Sequence, residues 1–215
     1  MSAPAWERTL DVRTADETHA LAAGLGAQLR TGDLLVLTGE LGAGKTTFTQ
    51  GLGEGLGVRA GIISPTFVLV RIHPNLPDGP RPGGPDLVHV DAYRLGSASE
   101  IDDIDLENTM DSAVTVVEWG RGRVEHLSDS RLEVDLLRSL GGGTQAPEAI
   151  APEVSTREAN GAEGAQDPEV LDFDTDDDDE PRTIVIRGFG PRWVEPPDLP
   201  AAARNDTLPY PLEEN

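Results

Sequence analysis

Eight consecutive residues, Gly39-Glu40-Leu41-Gly42-Ala43-Gly44-Lys45-Thr46, carry most of the chemistry legible in this chain. They fit the pattern G-x-x-x-x-G-K-[ST] without a gap. Glycines at these positions let the backbone wrap round a phosphate, so that successive N–H groups point inward. Lys45 then reaches the β- and γ-phosphates, and the Thr46 hydroxyl is placed for a magnesium ion. A helix beginning here turns the positive end of its dipole toward the same anion. Lys45 is the only lysine in the sequence; the other sixteen bases are arginine.

A phosphate loop needs a second acidic group near the metal, at the end of a neighbouring strand. Two positions qualify. Leu87-Val88-His89-Val90 runs into Asp91, and Val114-Thr115-Val116-Val117 runs into Glu118. Ser64-Pro65-Thr66-Phe67 is a third element. Pro65 fixes the local backbone, and the flanking hydroxyls can bond phosphate or water. On these four residues alone, a plain Ser-Pro turn fits equally well.

These groups need elements to position them. Thr14-Ala15-Asp16-Glu17 has the form of a capping box, and Leu21, Leu25 and Leu29 follow at helical spacing, which predicts a helix over 15–30. Residues 34–38 are continuously apolar up to Thr38 and read as a buried parallel strand. Phe48, Leu52 and Leu56 predict a helix from the phosphate loop to about Gly57. Further strands are expected at 6–12, 67–72, 87–90, 114–117 and 183–187. The alternation in 131–137 suggests a half-exposed strand. The Pro- and Gly-rich stretch 74–85 reads as a long surface loop. The fold expected is a three-layer α/β P-loop domain, with a mostly parallel sheet and antiparallel strands toward the C-terminus.

Charge divides the chain. The net charge is −22 over 215 residues. Residues 141–181 alone hold thirteen acids and one base, Arg157. This stretch lacks periodicity and apolar content and is expected to be a disordered insertion. A single P-loop domain is thus expected over 1–194, interrupted at about 141–181, with a flexible tail at 195–215. So acidic a chain lacks the clustered Lys and Arg that a nucleic-acid backbone requires, so DNA is not expected as a partner and any nucleic-acid role would go through a partner protein. There is no cysteine, which removes disulfides, zinc–thiolate sites and cysteine nucleophiles. No apolar run is long enough for a membrane span, so no membrane is expected and the expected location is cytoplasmic.

Four segments, LTGELGAGKTTFTQGL, SPTFVLV, VDAYRL and VVEWG, in this order and spacing, resemble the bacterial tRNA threonylcarbamoyladenosine biosynthesis ATPase family, TsaE. The resemblance covers about 8–137 and extends to the strand at 182–187. It implies a small P-loop ATPase using ATP and Mg²⁺, weak alone and dependent on a TsaB–TsaD pair that transfers a threonylcarbamoyl group to tRNA. ATP hydrolysis would reset that complex between turnovers. Carried onto this sequence, Leu41, Gly42, Ala43, Gly44, Lys45, Thr46 and Thr47 would hold the nucleotide phosphates. Thr46 and Glu118 would ligate the metal. Asp91 would be the catalytic acid that orients or deprotonates water, acting with Lys45 and Glu118. Trp119 would wall the site, Ser64 and Thr66 would belong to a mobile loop, and Glu17 would lie near the base or ribose. Arg182 fits a basic position at the start of the last strand.

Other readings stay open at this level. A small-molecule P-loop kinase would need an arginine-bearing lid, for which Arg121 and Arg123 are the candidates. A nucleotide-gated adaptor would bind ATP and barely turn it over. The absence of Asn-Lys-x-Asp argues against guanine. The four histidines show no ligand spacing, and His89 reads as a satisfied, half-buried strand residue. Asp172, Asp174 and Asp176 resemble a calcium loop, but Asp177 and Thr183 stand where Gly and Glu are required. Trp193 either covers the end of the core or meets a partner.

Overall fold

The computed structural model describes residues 3–95, 97–102, 104–138 and 181–199, and the backbone of 204–205. The acidic stretch 141–180, expected to be a disordered insertion, and residues 206–215 of the tail lie outside the described residues.

The N-terminal strand β1 (Trp6–Val12) leads into helix α1 (Ala15–Gly26). Thr14 caps this helix from an extended backbone, its Oγ1 accepting the Glu17 N–H at 3.1 Å. The Glu17 carboxylate reaches back one residue past the cap and accepts the Arg13 N–H at 2.7 Å. The helix stops at Gly26 rather than near Arg30. Asp33 captures the Arg30 N–H at 2.9 Å and turns the chain into β2 (Leu34–Thr38). Helix α2 (Lys45–Leu56) follows the phosphate loop and ends on Gly57 in the left-handed conformation.

Strands β3 (Val70–His73) and β4 (Asp86–Asp91) form an antiparallel pair. The expected strand start at Phe67 is not observed. The Pro65 carbonyl takes the N–H groups of both Val68 and Leu69, at 2.9 and 2.7 Å, closing a turn that Leu69 completes at φ +66°. The loop between β3 and β4 lies over the ends of both helices. Asn75 donates to Leu56 O at 2.9 Å, and Arg81 to Leu29 O at 2.8 Å.

Two short helices, α3 (Ala98–Asp102) and α4 (Glu107–Met110), precede β5 (Ala113–Glu118), β6 (Arg131–Arg138) and β7 (Arg182–Phe189). The two-residue strand β8 (Arg204–Asn205) pairs with β1. Among the described residues the sheet runs β3-β4-β5-β2-β6-β7-β1-β8. Strands β4, β5, β2 and β6 are mutually parallel, and β7 runs antiparallel between β6 and β1. Helices α1 and α2 cover one face through Leu21, Leu25, Phe48 and Leu52, packed on Leu35, Leu37, Val114 and Val116. Ile101, Leu106 and Met110 cover the other face over Leu34, Val36, Val88 and Val90. The result is the expected three-layer α/β arrangement.

Strand β6 is buried on both faces along most of its length, not half-exposed. Its charges are paired: Arg131 with Glu133 at 2.8 Å, Asp135 with Arg187 at 2.6 Å, and Asp135 also with Arg121. Pairing of this kind lets charged side chains occupy buried positions. Trp193, 1% exposed, closes the end of the core, and its carbonyl accepts the Trp6 indole N–H at 2.8 Å. Within the stretch expected as a tail, the Asp198 N–H donates to Gln28 Oε1 at 2.8 Å.

Helices α1 and α2 cross with backbone nearly against backbone. A side-chain carbon added at Gly51 would meet His19 O at 2.3 Å. Gly51→Ala is therefore expected to destabilise the fold by about 1–3 kcal/mol, as overpacking does. Chemical denaturation of the two proteins checks this; an unchanged midpoint would mean the helices separate freely.

Candidate functional site: a phosphate loop at the parallel strand ends

The phosphate loop spans the step from β2 to α2. Gly42 and Gly44 have φ of +77° and +94°, a region in which an L side chain is strained. Alternation of this kind turns successive N–H groups toward one concave surface. The Lys45 ammonium curls back into the loop, donating to Gly39 O and Glu40 O at 2.9 Å each. It also stands 4.0 Å from the centroid of the Trp119 ring. Burial pushes the Lys45 pKa down, opposed by the charges of Glu118 and then Asp91. A polyanion would find there a partly desolvated cation already turned into the loop.

Parallel pairing puts the two acids at the same end of the sheet. Asp91 lies opposite Glu118 in the β4–β5 register. Both are 3% exposed. Thr46 Oγ1 lies 3.5 Å from Glu118 Oε1. Asp91 is held by the 64–66 turn: its Oδ2 accepts from Thr66 Oγ1 at 2.6 Å and Ser64 Oγ at 3.2 Å. Its Oδ1 accepts the Tyr93 N–H at 2.9 Å. Trp119 leaves β5 at φ +61°, a sparsely populated conformation for a bulky residue, which aims its ring over Lys45.

The structure thus brings Lys45, Thr46, Ser64, Thr66, Asp91, Glu118 and Trp119 to one place. Leu41 stands at the outer rim, 83% exposed. Ala43 is buried under the loop, and Thr47 sits part-exposed on the first turn of α2. Arg182 heads β7 beneath the loop: a side-chain carbon at Gly44 would lie 3.5 Å from its Nε. Arg182 and Glu17 both line a cleft of about 630 Å³, together with Arg13 and Thr14. The Glu17 carboxylate is engaged there with the Arg13 N–H.

Three residues of this site were not read as site residues in the sequence. Tyr93 packs its ring 5.2 Å from that of Trp119. Arg138 ends β6 against the loop, 3.4 Å from where a side-chain carbon at Gly42 would be. His89 is fully buried, not half-buried, and its Nε2 lies 2.8 Å from Glu118 Oε1. The signal available for His89 was its spacing: two residues before Asp91 on a strand means the same face of the sheet.

Residues 12–143 match the family described as threonylcarbamoyl adenosine biosynthesis protein TsaE. The chain belongs to this family. It is 43% identical over 171 residues to the tRNA threonylcarbamoyladenosine biosynthesis protein TsaE of Streptomyces coelicolor, covering 79% of this chain and 89% of that one. The TsaE protein of Mycobacterium tuberculosis is 47% identical over 129 residues, 57% of this chain and 74% of that one. The crystal structure of Bacillus subtilis YdiB superposes with a TM-score of 0.54 at 26% identity, covering 87% of this chain and 88% of that chain. The TsaE match takes in the phosphate loop, both strand-end acids and the 64–66 turn. Among the described residues, no helix is long and apolar enough to cross a membrane.

Proposed function

We propose that this TsaE-family protein is a cytoplasmic Mg²⁺-dependent ATP hydrolase that serves tRNA threonylcarbamoylation. It works with a TsaB–TsaD transferase complex and meets tRNA only through that complex. The observation that carries the reading is the convergence of Lys45, Thr46, Glu118 and Asp91 at one end of the sheet. The donor set fits magnesium: a hydroxyl and a buried carboxylate, both oxygen donors, on the first turn of α2 and the end of β5. Thr46 and Glu118 would hold the ion, which when bound would neutralise charge on the β- and γ-phosphates.

This chain's own part is positioning and charge. The loop amides bind the phosphates. Lys45 exchanges two carbonyl acceptors for phosphate oxygens. Asp91 orients the attacking water and takes up its proton. In the resting arrangement the Asp91 carboxylate is occupied by the Ser64 and Thr66 hydroxyls, which supports slow turnover without a partner. The kinase reading loses its lid candidates, because Arg121 pairs with Glu133 and Asp135, and Arg123 donates to Ala92 O at 2.7 Å.

The test is the threonylcarbamoyladenosine content of digested bulk tRNA from cells depleted of the protein, measured by mass spectrometry. A steep fall that returns with the wild-type chain and not with Lys45→Ala is expected. An unchanged content would overturn the assignment to this pathway.

A further inference from the structure

Glu118 is held from the side away from the phosphate loop. His89 lies on β4 with its ring wholly buried, and its Nε2 is 2.8 Å from Glu118 Oε1. A carboxylate oxygen only accepts, so Nε2 carries the hydrogen and donates it. Nδ1 is buried without a hydrogen-bond partner among the described residues, so the contact to Glu118 is the one that orients the ring. Behind it lies His73, with ring centroids 6.2 Å apart. Burial and the neighbouring His89 and Arg71 push the His73 pKa down, so it stands there as a neutral neighbour.

A Glu118 side chain with no such tether has two places to go. One is the Thr46 hydroxyl, 3.5 Å away, where a metal would be shared. The other is the Lys45 ammonium, whose strongest attraction is to Glu118. Closing on Lys45 would neutralise the cation that the phosphates need and would remove a metal ligand at the same time.

We propose that His89 is a positioning residue for the metal: its Nε2–H fixes the Glu118 carboxylate beside Thr46 and holds it off Lys45. The inference rests on the reading of Thr46 and Glu118 as the magnesium ligands. Partners that stand behind ligating groups typically account for 10–100-fold in metal affinity.

The test compares the wild type with His89→Leu, His89→Asn and His89→Gln. Mn²⁺ is titrated into the full-length protein with a non-hydrolysable ATP analogue and followed by electron paramagnetic resonance. Nucleotide binding is also measured in EDTA, and melting curves report folding. The glutamine amide reaches about where Nε2 lies; the asparagine amide stops short of Glu118. Leu and Asn are expected to weaken Mn²⁺ binding about 10–100-fold. Gln is expected to restore it; nucleotide affinity in EDTA is expected to fall with Leu and Asn, where Glu118 closes on Lys45, and to stay at the wild-type level with Gln. Wild-type Mn²⁺ affinity in Leu and Asn would overturn the proposal, as would equal losses in Asn and Gln, which would assign the effect to packing. If Leu does not fold, the contrast between Asn and Gln decides. A wild type that binds the nucleotide analogue but takes up no Mn²⁺ with it when the metal is supplied would instead overturn the metal reading of Glu118, a separate outcome.

Discussion

Lys45→Ala is expected to weaken ATP binding by at least about 100-fold and to leave the fold intact. The ammonium makes two hydrogen bonds to loop carbonyls in the resting protein, at 2.9 Å each. In the complex they become charge-assisted contacts to phosphate oxygens, each worth about 1.5–3 kcal/mol. Losing two such contacts amounts to at least about 3 kcal/mol, and each 1.4 kcal/mol is tenfold in affinity. The stability of the nucleotide-free protein should move little. Lys45 is a buried cation whose desolvation is the largest influence on its pKa, and removing it relieves that penalty. Its loss of contact with Trp119 acts the other way, at about 1–2 kcal/mol. Isothermal titration with ATP, alongside a melting curve of the apoprotein, separates the two effects. Wild-type affinity in the variant would show that the loop does not hold phosphate. A collapsed melting temperature would show that Lys45 is a structural residue.

The same residue marks what a sequence can disclose. The phosphate loop is a local device: eight consecutive residues supply the turn, the cation and the hydroxyl, so the chemistry is written in one segment. Asp91 and Glu118 were also legible, because each ends an apolar run, and parallel strands ending at one edge must bring their last residues together. The His89–Glu118 contact was not, because its partners lie 29 residues apart and only the pairing of β4 with β5 joins them. The burial of β6 was hidden for the same reason. Arg131, Glu133 and Asp135 read as a half-exposed face until Arg121 and Arg187, from other elements, pair with the two acids, and Arg131 pairs with Glu133.

Two element boundaries were missed through local backbone competition. The periodicity of Leu21, Leu25 and Leu29 continues beyond Gly26, but the Asp33 carboxylate claims the Arg30 N–H, and the last turn unwinds. Residues 67–69 have strand-like composition, yet the Pro65 carbonyl draws two of their N–H groups into a turn. That turn is functional in consequence. It is what sets the Thr66 and Ser64 hydroxyls against Asp91.

Asp91→Ala is expected to keep nucleotide binding and to lose about 100–10,000-fold in hydrolysis under the proposed reading, the range a positioned general base supplies. Asp91 stands across the strand pair from Glu118, not within the phosphate loop, so binding does not depend on it. Its carboxylate accepts three hydrogen bonds, from Thr66, Ser64 and the Tyr93 N–H. Two of these come from the 64–66 turn and lower the basicity of Oδ2, so they oppose its taking up a water proton. Replacing the hydroxyls should therefore act opposite to replacing the acid. A Ser64→Ala, Thr66→Val double variant leaves the Asp91 carboxylate with the Tyr93 N–H alone. Its partner-free hydrolysis is expected to rise; a fall would show that the same hydroxyls place the water and would overturn the clamp. Asp91→Ala combined with the double variant must be as slow as Asp91→Ala by itself, because a clamp has no effect once the group it clamps is gone. Single-turnover hydrolysis with saturating ATP measures all of these. Full turnover in Asp91→Ala would move the water-activating role to another group, with Glu118 the remaining carboxylate in reach of Lys45 and Thr46.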